Sequence, residues 1–97
     1  MEIDIKKIIE YPEKGVLSKV IIKEKQNVTL FCMAKGTDIG EHTSTKQGFI
    51  YVIEGKGIFN LEGEDIVMET GKFIFMKENA KHFIKAEENI SFLLALV

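Results

Sequence analysis

The sequence predicts an all-β fold, and three observations support that prediction. Ile, Val and Thr contribute 14, 6 and 5 of the 97 residues, and these β-branched side chains favour extended backbone. Seven Phe and two Tyr add to the residues that favour strands. Eight glycines divide the chain into short segments, as in strands joined by tight turns. Together these features indicate a sandwich or barrel of short strands.

Eight strands are predicted in order along the chain. The apolar segments between the glycines place them at 16–23, 28–34, 49–54, 57–61, 64–68, 73–77, 82–85 and 90–97. Before them, Ile3 and Ile5 alternate as in a strand, whereas Ile5, Ile8 and Ile9 have helical spacing. The first ten residues are therefore predicted to be a short helix or an edge strand. Pro12 ends this segment because it has no amide proton to donate.

The size and charge of the chain narrow the classes of function. Residues 1–97 are enough for one domain and too few for two independent cores. The formal net charge is −2, so nucleic acid is not an expected partner. The sequence contains no apolar run of about 18 residues and no secretory leader, which predicts no membrane association and a cytoplasmic location. The single cysteine, Cys32, is expected to be a buried thiol.

The predicted strand at 49–54 is apolar on both faces. Alternation places Ile50 and Val52 on one side, and Phe49, Tyr51 and Ile53 on the other. A single barrel interior covers only one of these faces. The other face needs the N-terminal segment or a second copy of the chain, because large exposed apolar patches are rare on monomers. We therefore expect a symmetric homodimer.

Two sequence motifs carry a resemblance to a known superfamily. The residues that match the motifs at the expected spacings are Gly36, His42, Gly55, Gly63, Gly71 and His82. In this ordered set the chain resembles the cupin superfamily, and most of all the small single-domain, type-2 and RmlC-like cupins, with the core motifs over residues 36–86. The resemblance implies a double-stranded β-helix, the jelly-roll barrel, whose conserved histidines face the interior.

The metal-ligand set that the resemblance implies is degenerate. Metal-binding cupins hold their ion with three His and one Glu. His42 and His82 match two of these positions, whereas Ser44 stands at the second His position and Gly48 at the Glu position. Two imidazoles alone are too few for a tight site. Gln47 lies beside the missing Glu, but it completes the set only if a β-bulge turns it inward.

Three functional hypotheses remain open at this point, and cupins include examples of each. The first is an internal pocket for a small polar organic molecule, lined by His42, Ser44, Gln47, His82, Met33 and Met76. The second is a metal-dependent enzyme of the isomerase or dioxygenase type. It would use His42 and His82 to hold a divalent ion such as Zn, Ni, Mn or Fe. The third is a non-catalytic, homodimeric interaction domain.

Overall fold

Two antiparallel β-sheets face each other across a common core. The computed structural model describes all residues of the chain, Met1–Val97. One sheet has the strand order β1-β2-β9-β4-β7 and the other has the order β3-β8-β5-β6. The nine strands are β1 (Val16–Lys23), β2 (Asn27–Met33), β3 (Asp38–His42), β4 (Gly48–Glu54), β5 (Lys56–Leu61), β6 (Glu64–Glu69), β7 (Phe73–Met76), β8 (His82–Ala86) and β9 (Ile90–Leu96). The all-β prediction is confirmed.

Eight of these strands were predicted from the sequence, and β3 was not. Its sequence is DIGEH, in which Ile39 is the only large apolar residue, so it lacks the alternation that marks the other strands. It is held in place by antiparallel pairing with β8, where Ile39 lies opposite Ile84 and His42 lies opposite His82. Tertiary pairing with β8 therefore creates a strand that its own sequence barely favours.

The ambiguous N-terminal segment contains a short helix, α1 (Ile5–Ile8). Ile5 and Ile8 are partly buried, whereas Lys6 and Lys7 are exposed, as helical spacing of the isoleucines requires. No helix in the structure has the length and apolar character needed to cross a membrane.

The core lies between the two sheets and is built from alternate residues of nearly every strand. Ile50 and Val52 share one face of β4, as the alternation predicted, and at 2% and 0% exposed they show that this face points into the core. The eleven residues of the main cluster are Met33, Ile50, Val52, Phe59, Met68, Ile74, Met76, Ile84, Ala86, Ile90 and Phe92. Burying large aliphatic and aromatic side chains stabilises a fold by roughly 1.5–3 kcal/mol each, so this cluster is the main source of stability.

The outer face of the five-stranded sheet is covered on one half only. The Tyr11 hydroxyl donates to Glu54 Oε1 at 2.7 Å and lies 3.0 Å from Ser91 Oγ, which fastens the N-terminal segment across this face. Desolvation in this contact raises the pKa of Tyr11 above its usual range. Beneath it, Cys32 is fully buried and unpaired, as predicted.

The other half of that face, on β4 and β7, is open to solvent. Tyr51, Phe73 and Phe75 are 43%, 60% and 48% exposed, and the rings of Phe49 and Phe73 stack with centroids 4.8 Å apart. We call Phe49, Tyr51, Phe73 and Phe75 the aromatic patch. The sequence of β4 predicted that its outer apolar face would be covered, and the N-terminal segment covers only part of this sheet face.

Candidate functional site

The pairing of β3 with β8 brings the two histidines of the chain together. His42 lies directly opposite His82, and their ring centroids are 4.1 Å apart at an interplanar angle of 63°. Residues three apart on a regular strand face opposite sides, yet Ile39 and His42 both line the interior. The register shift between these two residues explains this, because a bulge in β3 turns His42 inward.

Hydrogen bonds to the backbone fix which nitrogen of each ring carries the proton. His42 Nδ1 lies 2.8 Å from the Gly40 carbonyl oxygen, and His82 Nδ1 lies 2.9 Å from that of Ala80. A carbonyl oxygen only accepts hydrogen bonds, so in both rings Nδ1 is the donor. In the neutral form this leaves Nε2 of each ring as an acceptor with a free lone pair.

The two rings differ in their surroundings. His82 is 4% exposed and stacks on Phe59, with ring centroids 5.6 Å apart and an interplanar angle of 14°. Burial lowers the pKa of His82 below its ordinary value of 6.5; the Ala80 carbonyl opposes this shift and the neighbouring His42 adds to it. His82 is therefore neutral at pH 7. His42, in contrast, is exposed to solvent, so the pair joins the interior to the outside.

A small internal cavity of about 80 Å³ lies against this pair. Its walls are the two histidines and seven apolar side chains, among them Phe31, Met76 and Phe92. Sites for drug-sized ligands usually measure about 300–1,000 Å³, so this cavity admits only a group of a few heavy atoms in its present shape. The histidines are its only polar side chains.

Of the residues predicted to line the pocket, the structure brings three together. His42, His82 and Met76 line the cavity, whereas Met33 is packed in the core cluster away from its walls. Ser44 lies beyond the end of β3, and its carbonyl oxygen accepts a hydrogen bond from Asn79. Gln47 is exposed. Ser44 and Gln47 were named from their places in the motif, and β3 ends at His42, before both of them. The roles in binding that the sequence predicted for all six residues stay predictions.

Comparison with known proteins places the chain in a family. A family model described as "Cupin domain" matches residues 29–96, well over half of the chain. The chain belongs to the cupin family. An Aquifex aeolicus relative described as an uncharacterized protein is 29% identical over an alignment of 96 residues, which covers 96% of this chain and 79% of that one. The two-sheet architecture is thus the cupin jelly roll.

Solved structures share the fold at lower identity. A conserved Streptococcus pyogenes protein of unknown function superposes with a TM-score of 0.91 at 22% identity, over 100% of this chain and 86% of that one. Salicylate 1,2-dioxygenase from Pseudoaminobacter salicylatoxidans superposes with a TM-score of 0.80 at 14% identity, over 84% of this chain and 25% of the dioxygenase. At such identities the likeness shows the fold alone.

The full set of four ligands found in metal-binding cupins does not fit this barrel. A Cβ atom at Gly48, the position of the family's Glu ligand, would meet the Ala95 carbonyl and would lie 2.9 Å from Leu96 Cδ2. Strand β9 thus occupies the space that the first atom of that side chain would need. No group of three His, Cys, Asp or Glu residues in the structure is arranged to hold a metal ion. The donors at this site are the two imidazoles.

A second, larger cleft of about 480 Å³ lies on the surface, and its lining residues were not singled out as a site in the sequence. It lies between the β5–β6 turn and the β7–β8 loop, and Glu62, Glu64 and Glu78 line it beside Phe75. We place the candidate site at the smaller internal cavity, because that cavity contains both histidines. One carboxylate of the outer cleft, that of Glu62, accepts a hydrogen bond from the amide of Lys81, the residue before His82.

Proposed function

We propose that this cupin binds a small polar organic molecule in the cavity beside His42 and His82. The observation that carries the proposal is the contact of each Nδ1 atom with a backbone carbonyl oxygen, from which the tautomer of the pair follows. Both Nδ1 atoms are hydrogen-bonded to backbone carbonyls, which leaves Nε2 of each neutral ring as an acceptor, and both rings line an otherwise apolar cavity. Such a combination of apolar walls and a few placed polar groups is typical of small-molecule sites.

The chemistry of the pair defines the class of ligand. Two acceptors are complemented by a group that donates hydrogen bonds, such as a hydroxyl, an amine or a protonated carboxylic acid. The apolar walls suit a short hydrocarbon portion, and the volume of about 80 Å³ limits the enclosed part to a few heavy atoms. A larger ligand would keep its remainder on the solvent side of His42, which is exposed.

Thermal shift measurements with short alcohols, amines and hydroxy acids at pH 7.5 test this proposal. Ligand at one hundred times its Kd adds about 2.7 kcal/mol to the stability of the folded state, which raises the melting temperature by roughly 10–20 °C in a domain of this size. We expect the shift to disappear in His42→Phe, which keeps a ring and removes both nitrogens. Glu41→Gln, an exposed neighbour, is the matched control. The proposal fails if wild type and His42→Phe respond alike to every compound.

The alternative is a metal-dependent enzyme of the isomerase or dioxygenase type that uses His42 and His82. Its support is that metal-ligating histidines usually donate their second ring nitrogen to a carbonyl or carboxylate, as both do here. The likeness of the fold to salicylate 1,2-dioxygenase agrees with this alternative. A bound Zn, Ni, Mn or Fe ion would supply Lewis-acid chemistry, with Gln47 as the predicted additional donor. Calorimetric titration with Zn²⁺ and Ni²⁺ tests it, and equal heats for wild type and His42→Ala exclude it.

A homodimer is the second proposal that a specific observation favours. The register places Leu93, Tyr51 and Phe73 in one row across β9, β4 and β7, on the half of the sheet that α1 and Tyr11 leave open. A second copy related by a two-fold axis would cover this apolar row with the same row of its own. Light scattering should give the mass of two chains for wild type and of one chain for Phe73→Glu. A monomeric wild type refutes it. Such a dimer would act as a non-catalytic interaction domain in the cytoplasm.

A further inference from the structure

The β5–β6 turn contains a residue that its backbone conformation disfavours. Glu62 and Gly63 form a two-residue loop with φ values of 51° and 87°, so both residues are in the left-handed region. Hairpin turns of this kind prefer Asn-Gly or Asp-Gly at these two positions, because the short polar side chains of Asn and Asp can form local hydrogen bonds in the left-handed conformation. A glutamate at the first position therefore calls for an explanation.

The side chain of Glu62 makes one specific contact, and it lies next to the candidate site. Glu62 Oε1 accepts a hydrogen bond from the Lys81 amide at 2.8 Å, while the Glu62 amide donates to the Lys81 carbonyl at 2.8 Å. Both bonds fall on the residue that precedes His82. Leu61, the neighbour of Glu62, pairs directly with His82 across β5 and β8.

One planar peptide connects the carboxylate to the imidazole. The Lys81 amide that donates to Glu62 belongs to the same peptide unit as the Ala80 carbonyl that accepts from His82 Nδ1. Because the unit is rigid, holding its N–H fixes the direction of its C=O. A negative charge on the N–H side also polarises the unit and makes its carbonyl oxygen a stronger acceptor.

We propose that Glu62 is a positioning residue for His82. Acting through the Ala80–Lys81 peptide, its carboxylate holds the imidazole in the Nδ1–H form and keeps Nε2 available at the cavity. This inference deepens the proposed function and takes its significance from it, but the tautomer of His82 is measured without any ligand. It also explains the glutamate in the turn, because Asn or Asp would be one methylene too short to make the same contact.

Nitrogen-15 NMR of the histidine rings at pH 8 tests the proposal, because ring shifts distinguish the two neutral tautomers. We expect His82 in wild type to be in the Nδ1–H form. In Glu62→Asn the population of the Nε2–H form should rise about fivefold or more, since the support of one hydrogen bond is lost. Glu62→Gln keeps an oxygen acceptor at the same reach but removes the charge, so its Nε2–H population should lie between those of wild type and Glu62→Asn.

Two further variants separate positioning from simple loss of structure. Glu64→Gln removes an equal charge from the same cleft and should leave the His82 tautomer unchanged. Asn and Gly both tolerate the left-handed conformation, so Glu62→Asn and Glu62→Gly should keep the melting temperature while they release His82. If either variant folds and keeps the wild-type tautomer, Glu62 does not position His82.

The same data distinguish this inference from the proposed function. A tautomer change in Glu62→Asn, with no compound binding to wild type, would support the positioning role and overturn the pocket as a binding site. Binding to wild type with an unchanged tautomer in Glu62→Asn would support the pocket as a binding site and overturn the positioning role of Glu62. In that case the stacking of His82 on Phe59 and the barrel itself would be enough to hold the ring.

Discussion

Replacing Gly48 by alanine tests whether the barrel has closed the position of the cupin Glu ligand. Gly48 pairs with Leu96 across β4 and β9, and an added Cβ would meet the Ala95 carbonyl and lie 2.9 Å from Leu96 Cδ2. The Leu96 side chain can rotate away, but the carbonyl is backbone within the sheet. The strand must therefore shift, and Gly48→Ala should destabilise the fold.

The magnitude follows from comparison with a second strand glycine, Gly40, whose added Cβ would meet nothing within 4 Å. An alanine in open strand surroundings gains about 0.5–1 kcal/mol from reduced freedom of the unfolded chain. Overpacking costs about 1–3 kcal/mol, and a backbone contact belongs at the upper end of that range. We expect Gly48→Ala to lose about 2 kcal/mol, or roughly 8–16 °C in melting temperature, while Gly40→Ala is neutral or slightly stabilised.

Thermal and urea unfolding followed by circular dichroism measure both variants under the same conditions. The reasoning is refuted if Gly48→Ala is as stable as Gly40→Ala, because the barrel would then have room for a side chain at this position. If Gly48→Ala is destabilised as expected, restoring the ligand set with Ser44→His and Gly48→Glu should not create a tight metal site. The packing of β9 against position 48 would then exclude a glutamate ligand there, whatever the residue at position 44.

Three other predictions follow from single contacts. Tyr11→Phe should destabilise the fold by about 1.5–3 kcal/mol in urea unfolding, because it removes a hydrogen bond to a carboxylate and leaves buried Ser91 without that partner; an unchanged midpoint would contradict the role given to the N-terminal segment. Burial lowers the pKa of His82, so the unfolded chain takes up a proton first and stability should fall as the pH drops below 6.5; His82→Gln should flatten this dependence. Gly55→Ala should cost clearly more than Gly63→Ala, since both have positive φ but only Gly55 has Ile90 Cα within 2.7 Å of the added Cβ; equal losses would mean that backbone conformation alone matters.

The sequence was sufficient for the architecture because its signals are local. Glycine-bounded apolar segments marked eight strands, and the alternation in β4 correctly separated Ile50 and Val52, which lie in the core, from the residues of the opposite face. The sequence did not predict β3, because this strand depends on pairing with β8, which is distant in the chain. The sequence motifs likewise brought His42 and His82 together, since each motif fixes one of them on a barrel strand.

The details of the site lay beyond the sequence because they depend on bends, strand ends and backbone contacts. The inward turn of His42 comes from a bulge, and the absence of Ser44 from the cavity comes from the end of β3. Neither leaves a mark in residue composition. The role inferred for Glu62 needs the positions of two hydrogen bonds on one peptide, and only its unusual place before Gly63 in a hairpin turn hinted at it.

The set of donors at the site favours the proposed organic ligand over a tightly held metal ion. A structural or catalytic site for a divalent metal commonly has at least three protein ligands, and here the cavity offers two imidazoles. The Glu62 carboxylate reaches His82 only through a peptide, so it can orient the ring but supplies no ligand to the cavity. What remains at the cavity is a pair of oriented acceptors in apolar surroundings, where a hydrogen bond from a hydroxyl or amine is strengthened by the low local polarity.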